Sequence, residues 1–216
     1  MTSTTKESKA ELPLLTRTGK LVLTVDNSNE TPEQKSKREK ECKRCEDWKD
    51  EIIQKNTMVK TLLGAMKRAG CNFEKKHFRC VPCDNSGSGG FSAEEGIILC
   101  QNHFISRPHM EETVVHELIH AFDYCKYNLD LTNCKHHACT EVRAASLSGD
   151  CKLMREFLRG KFRVKKQHQE CVRRRAILSV KYNPSCKDEE QARNAVNSVF
   201  ESCYADTTPF GDHDRK

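Results

Sequence analysis

The chain has 216 residues, of which 36% are hydrophobic and 31% charged, and it carries a formal net charge of +6. This length suits a single domain with an ordered core of about 160–170 residues and a tail. No apolar run approaches the roughly 18–20 residues that cross a bilayer, so the sequence predicts no transmembrane helix.

The N-terminal segment differs in composition from the rest of the chain. Residues 1–40 are rich in Ser, Thr, Lys and Glu, which predicts a disordered tail, although 12–24 could form a short strand. The segment has neither the apolar core of a secretory signal nor the acid-free composition of a transit peptide. We therefore expect one domain over residues 41–210, followed by a short tail over 211–216.

Two helices and two strands are predicted next. Apolar residues recur at helical spacing in 41–54 and in 57–69. Residues 75–81 and 96–101 are typical of strands, and the glycine-rich stretch 85–90 predicts a turn that joins them in a hairpin. The second strand leads into the following helix, and its edge is a place where an extended peptide substrate could pair.

Residues 116–120 read His-Glu-Leu-Ile-His, the H-E-x-x-H pattern of a catalytic zinc site. Positions four apart on a helix share a face, about 6 Å apart along the axis, so His116 and His120 can bind one Zn²⁺. Glu117 lies about 100° further round, where it can take a proton from the attacking water without binding the metal. The alternative is a surface helix with incidental histidines, but the apolar neighbours predict a buried helix over 109–126.

A catalytic zinc usually needs a third protein ligand. Glu141 is the preferred candidate, because it lies in a predicted helix over 134–147 and a glutamate from the following helix is the thermolysin-like pattern. His137 is one turn earlier on the same face, so it could be the ligand instead or could steady the oxyanion.

Asp123 is a candidate for a supporting role. It shares a helix face with His116 but lies about 10 Å from it along the axis, too far for Asp123 and both histidines to hold one ion. We expect Asp123 instead to accept the free ring N–H of His120.

The thirteen cysteines are many for a chain of this length. Three interpretations are open: reduced buried thiols, a second zinc held by two Cys-x-x-Cys pairs (Cys42 and Cys45, Cys80 and Cys83), or disulfides. The 34 residues between the two pairs exceed the roughly 15–20 of a compact four-cysteine site. Because the cysteines are spread over the whole predicted domain, disulfides in an oxidising compartment are favoured, and the odd number leaves at least one thiol free.

The segment 152–181 carries eleven Lys and Arg against two Glu, a net charge of +9. Such a block can attract an anionic surface, either a membrane leaflet or nucleic acid, or it can be a solvated helix face. Few aromatic residues are interleaved with the basic ones, so base stacking on nucleic acid is poorly supported.

The predicted elements together define a fold class. A final apolar stripe over residues 185–203 predicts a last helix, after one or two helices in the basic segment. The total is an α+β, zincin-like fold that is mostly helical, with a small sheet beside the zinc-binding helix.

The middle of the chain resembles a known family. Residues 116–123, 136–139 and 143–151 are similar to the mitochondrial inner membrane protease and ATP synthase assembly factor family, whose vertebrate members are also called Ku-binding protein. The similarity covers residues 42–210 approximately, and the stretch 116–151 is its most specific part.

The resemblance implies a zinc metalloendopeptidase of the mitochondrial intermembrane space, with His116 and His120 as zinc ligands and Glu117 as the catalytic residue. Fungal members remove a leader from a membrane subunit of the ATP synthase and separately help its membrane sector to assemble. Peripheral contact between the basic segment and the inner membrane is also implied. The alternatives are a non-proteolytic assembly chaperone or, from the Ku-binding name, a Ku partner that acts as an adaptor in DNA double-strand break repair.

Overall fold

The structure of the protein, a computed structural model, describes residues 15–16, 30–83, 87–127, 129–151 and 167–211. Within these ranges the chain is mostly helical and has one small sheet, so the predicted α+β class is confirmed. None of the described helices is long and apolar enough to cross a membrane.

The first helix, α1 (Pro32–Lys55), begins earlier than predicted. Its start is fixed by a reciprocal cap, in which Thr31 Oγ1 accepts the backbone N–H of Gln34 at 3.3 Å and Gln34 Oε1 accepts that of Thr31 at 2.8 Å. The predicted start at residue 41 is too late, because the first turns of α1 are polar and carry no apolar stripe. Most of the predicted tail over 1–40, like most of the C-terminal tail, lies outside the described residues.

The sheet has four short strands, β1 (Leu15–Thr16), β2 (Phe78–Val81), β3 (Gly89–Ser92) and β4 (Gly96–Cys100). Their order is β1-β3-β4-β2, with β3 antiparallel to both β1 and β4 and with β2 parallel to β4. The predicted hairpin of β2 with β4 is therefore wrong, because part of the glycine-rich segment between them forms a strand of its own. Since β4 has a neighbour on both sides, it has no free edge for a peptide.

The absence of a side chain at Gly89 allows β3 to pass close to its neighbours. A Cβ atom on Gly89 would lie 2.8 Å from the Ile98 carbonyl oxygen of β4 and 2.9 Å from Thr113 Cγ2 on the following helix. These distances are shorter than a Cβ atom tolerates, so only glycine allows β3 to fit between the two elements. The residues 84–86 of the predicted turn lie outside the described part of the chain.

Five further α-helices lie in the described chain: α2 (Thr57–Arg68), α3 (Arg107–Tyr127), α4 (Cys134–Leu147), α5 (Gln167–Val180) and α6 (Glu189–Ala205). The bounds of α3 and α4 closely match the predicted helices over 109–126 and 134–147. The helix α5 is the described part of the basic segment, whose residues 152–166 lie outside the described ranges.

Apolar side chains form two main clusters. One joins α1, α2, the sheet and α3, where Val59, Leu62 and Leu118 are completely buried. The other joins α4, α5 and α6 and includes Val142. Ala144 of α4 belongs to the first cluster, so α4 packs against both.

Disulfides follow the same division. Three bonds lie in the N-terminal half, residues 30–127: Cys45–Cys80, Cys71–Cys125 and Cys83–Cys100. Three lie in the C-terminal half, residues 129–211: Cys134–Cys186, Cys139–Cys203 and Cys151–Cys171. The thirteenth cysteine, Cys42, is free, and no disulfide joins the two halves. The predicted disulfides are confirmed, and the alternative four-cysteine zinc site is excluded because Cys45 is bonded to Cys80 and Cys83 to Cys100.

Cutting the chain between the halves should separate them, because no disulfide crosses this point. We insert the recognition sequence of a site-specific protease after Asp130 and expect two fragments after cleavage on a denaturing gel without reductant. The matched control is the same insertion after Lys187, whose fragments should stay joined through Cys139–Cys203 until a reductant is added. If the two fragments of the first variant stayed joined without reductant after complete cleavage of the inserted sequence, the disulfide pairing would be contradicted.

Candidate metal centre

Three buried side chains meet where α3 packs on α4. His116 and His120 share one face of α3, and their Nε2 atoms lie 3.7 and 3.5 Å from the carboxylate oxygens of Glu141 on α4. One ligand atom from each residue lies within 4.8 Å of the others, and none of the three residues is more than 1% exposed. Within the described ranges, this is the one group of His, Cys, Asp and Glu side chains that is arranged to hold a metal ion.

The chemistry of these side chains fits zinc. Both ring nitrogens of His116 and the Nε2 of His120 are buried without a hydrogen-bond partner in the described chain. Such burial is costly, and a divalent cation between the two Nε2 atoms and Glu141 would give one nitrogen of each ring a partner. Two imidazoles and one carboxylate are the protein ligands of thermolysin-type catalytic zinc.

Burial also determines which groups are charged. It lowers the pKa of His120 to about 3, so the ring is neutral and its Nε2 lone pair is available. Burial alone would raise the pKa of Glu141, but the neighbouring imidazoles, that of His120 above all, hold this pKa well below its usual range. A neutral imidazole and an ionised carboxylate are the forms that bind a metal.

Two side chains hold the Glu141 carboxylate in place. Ser179 on α5 donates its hydroxyl to Glu141 Oε1 at 2.6 Å, and His137 Nε2 lies 3.2 Å from the same oxygen. The Asn183 side-chain nitrogen donates to His137 Nδ1 at 2.8 Å and to the Leu131 carbonyl at 3.0 Å. Since that amide nitrogen can only donate, the His137 proton is on Nε2 and is donated to Glu141. The sequence left open that His137 is itself the third ligand, whereas in the structure it supports Glu141.

A second chain of hydrogen bonds reaches His120. Its Nδ1 lies 2.9 Å from Thr140 Oγ1, and the Thr140 hydroxyl donates to Asp123 Oδ2 at 2.8 Å. We expected Asp123 to accept the His120 proton directly, but Thr140 on α4 stands between them. The Nε of Arg143 lies 3.0 Å from both oxygens of Asp123. Burial raises the pKa of Asp123 to about 6 against the opposing effect of Arg143, so this carboxyl is ionised at neutral pH.

Glu117 is completely buried on the part of α3 that faces β3. A Cβ atom on Gly89 would lie 3.6 Å from Glu117 Cγ, so the strand passes directly beside this side chain. Glu117 follows His116 on the helix and points away from the face that the two histidines share. This is a position from which a carboxylate can act next to the ligands without being one of them.

The sequence did not reveal the side chains that support the ligands. Thr140, Ser179 and Asn183 are ordinary polar residues, and no local pattern connects them with the histidines. Arg143 did leave a signal, because a guanidinium beside Val142, Ala144 and Ala145 needs a carboxylate partner if this part of the helix is buried. That signal predicts an ion pair but does not identify Asp123 as the partner.

Comparisons with known proteins identify similar chains. Residues 43–211 match the model of the peptidase M76 family. The chain is 46% identical to the mitochondrial inner membrane protease atp23 of Aspergillus clavatus over 172 residues, which cover 79% of this chain and 73% of that protein. It is 44% identical to the mitochondrial inner membrane protease ATP23 of Yarrowia lipolytica over 171 residues, which cover 79% and 68%. No solved structure matches the chain, so the zincin-like part of the predicted fold stays a prediction.

Removing a ligand should remove the metal. We expect the oxidised wild-type protein to contain about one equivalent of zinc, and His116→Ala and Glu141→Ala to retain less than about a tenth of it, because two remaining ligands bind zinc weakly. His136→Ala is the matched control, since this histidine is exposed on α4 and should leave the metal content unchanged. Elemental analysis measures the result, and full zinc content in Glu141→Ala would contradict its assignment as the third ligand.

Proposed function

This chain belongs to the peptidase M76 family, and on that premise we propose that it is a zinc metalloendopeptidase. The observation that carries the proposal is the pair of buried imidazoles, His116 and His120, whose Nε2 atoms face the Glu141 carboxylate without a hydrogen bond. Buried imidazole nitrogens are costly unless they bind something, and these three side chains are the ligands that a catalytic zinc requires.

Each residue has a distinct part in the proposed reaction. His116, His120 and Glu141 would hold Zn²⁺, which when bound would lower the pKa of a water molecule toward 7 and polarise the peptide carbonyl. Glu117 takes the proton from the attacking water and later gives it to the leaving amine, so its carboxylate is regenerated. Because Glu117 is completely buried, bulk water does not compete for that proton.

We also propose a location for the protein, the mitochondrial intermembrane space with peripheral contact to the inner membrane. The relatives are named as mitochondrial inner membrane proteases. Disulfides in both halves suit an oxidising compartment. The sequence of residues 152–166 has seven basic side chains and one acidic one, which suits an anionic membrane surface.

Two of the three arginines of α5 contribute less to such a surface. Arg173 pairs with Glu201 at 3.4 Å, and Arg175 pairs with the buried Asp150 at 2.6 Å. Both charges are paired with carboxylates of the same chain, so the proposed membrane contact rests mainly on the residues before α5.

The proposed substrate is a membrane-sector subunit of the ATP synthase. Its processing, assistance with its assembly, or both would be the biological role, as the resemblance to the protease and assembly factor family implies. An assembly chaperone without proteolysis is the alternative, and it makes a different prediction for Glu117, because a chaperone needs no proton shuttle.

Replacing Glu117 by glutamine should abolish cleavage and leave the zinc in place. The amide cannot accept the proton, so we expect the cleavage rate of a quenched-fluorescent peptide library to fall by about 10²–10⁴-fold. Glu111→Gln is the matched control, because Glu111 lies on the same helix but contacts Asn56, with an oxygen–nitrogen distance of 2.5 Å. Wild-type cleavage by zinc-loaded Glu117→Gln would rule out the catalytic role.

The same variant separates the two biological roles. In mitochondria that carry Glu117→Gln as their only copy, a peptidase role predicts that the unprocessed membrane subunit accumulates. If the ATP synthase membrane sector assembled normally in these mitochondria, the assembly role would not require the protease activity.

A further inference from the structure

Arg143 joins the metal centre to a distant part of the chain. Its side chain is 2% exposed, and a guanidinium buried so deeply is destabilising unless every donor has a partner. Its Nε donates to both oxygens of Asp123 at 3.0 Å. Its Nη1 donates to the Asp206 carbonyl oxygen at 2.7 Å, and its Nη2 donates to the Thr208 carbonyl oxygen. Because the guanidinium is planar and rigid, the two carbonyls fix the direction in which Nε points.

Residues 206–210, which follow α6, form what we call the C-terminal strap. The strap begins in the C-terminal half, where Cys203 of α6 is bonded to Cys139 of α4. It ends at Phe210, which is 8% exposed and belongs to the apolar cluster that joins α1, α2, the sheet, α3 and part of α4. The Thr208 N–H donates to Asp206 Oδ1 at 2.9 Å, which holds the turn between them. The strap therefore runs from α6 to that cluster and presents two carbonyl oxygens to Arg143.

The hydrogen bonds from Arg143 to His120 have a defined direction. An ionised Asp123 can only accept, so the Thr140 hydroxyl uses its single proton to donate to Asp123. Thr140 Oγ1 then offers only a lone pair to His120, so His120 Nδ1 carries the ring proton and donates it. The Nε2 atom, which faces Glu141, is left unprotonated, and that is the form that binds a metal.

We propose that Arg143 and the C-terminal strap are positioning elements of the metal centre, which fix the tautomer of His120 through Asp123 and Thr140. This inference deepens the proposed function and rests on it, since it names the residues that prepare one zinc ligand. If the guanidinium were removed, Asp123 could keep a proton and donate it to Thr140. The Thr140 hydroxyl would then donate to His120 Nδ1, and the ring proton would sit on Nε2, where it blocks the metal.

The Thr140 hydroxyl provides the first test. Thr140→Val keeps the shape of the side chain without the hydroxyl, whereas Thr140→Ser keeps the hydroxyl. We expect Thr140→Val to lower zinc affinity by about 10–100-fold and Thr140→Ser to stay within about threefold of wild type, as for other groups that orient a metal-bound histidine. Competition with a chelator measures the affinity, and nitrogen NMR shifts of the metal-free protein report which ring nitrogen of His120 is protonated.

Arg143 and the strap are tested in the same two measurements. Arg143→Met should move the His120 proton to Nε2 and lower zinc affinity by about 10–100-fold. Phe210→Ala should loosen the strap and lower zinc affinity by about tenfold without touching the ion pair. Val196→Ala is the control for lost stability, because this buried valine of α6 lies in the other apolar cluster and should leave zinc affinity unchanged.

Several results would overturn the proposal. Equal zinc affinities of Thr140→Val and Thr140→Ser would show that the hydroxyl has no role. Equal losses of zinc affinity in Phe210→Ala and Val196→Ala would show that the strap contributes only to the general stability of the fold. If Arg143→Met does not fold, the comparisons within these two pairs of variants still test the proposal. If the wild-type protein bound no zinc, the proposed function would be rejected. The tautomer of His120 could still be measured in that protein, because the measurement uses its metal-free form. An Nε2–H tautomer in metal-free wild type ends this inference in either case.

Discussion

The contact between α3 and α4 is the constraint on which the rest of the structure depends. It buries two imidazoles and Asp123 from α3 against Glu141 and Arg143 from α4. Asp123, Glu141 and Arg143 are costly to bury unless each meets a partner at a short distance. Their ion pair and hydrogen bonds therefore restrict how α3 and α4 can pack against each other. The polar contact costs more than apolar packing would, which is expected of a site kept for its chemistry.

The covalent bonds do not impose this register. Each half of the chain has its own three disulfides, and α3 and α4 lie in different halves. A disulfide mainly restricts the unfolded chain within the loop that it closes, so these bonds stabilise each half separately. The relation between the halves is left to side-chain contacts, among them the packing of α3 on α4 and the ion pair of Arg143 with Asp123. The candidate metal centre lies on this boundary.

Particular elements show where sequence reasoning succeeds and where it fails. The bounds of α3 were predictable because its segment is long and largely apolar, and those of α4 because the stretch around Glu141 was predicted as the next helix. The start of α1 was missed because its cap, Thr31 with Gln34, precedes turns that are polar on every side. The strand β3 was missed because its glycines are typical of a turn, whereas the close approach of β4 and α3 leaves room for nothing larger at Gly89. For β3 the deciding contacts are with elements distant in the chain, whereas the cap of α1 is local, since Thr31 and Gln34 are three residues apart.

The sequence by itself determined which residues are the candidates for the chemistry of this protein. The spacing of His116 and His120 on a helix, with Glu117 between them, is a local property, since the backbone of one helix sets the distances. Glu141 was a preferred candidate on its position in the following helix, and the cysteine distribution indicated disulfides. Only the tertiary structure decided the rest. It interposed Thr140 between His120 and Asp123, turned His137 toward Glu141, and brought Arg143 and the chain after α6 to the same place. Those contacts join residues far apart in the chain, and their partners are chosen by how helices pack, which no short stretch of sequence encodes.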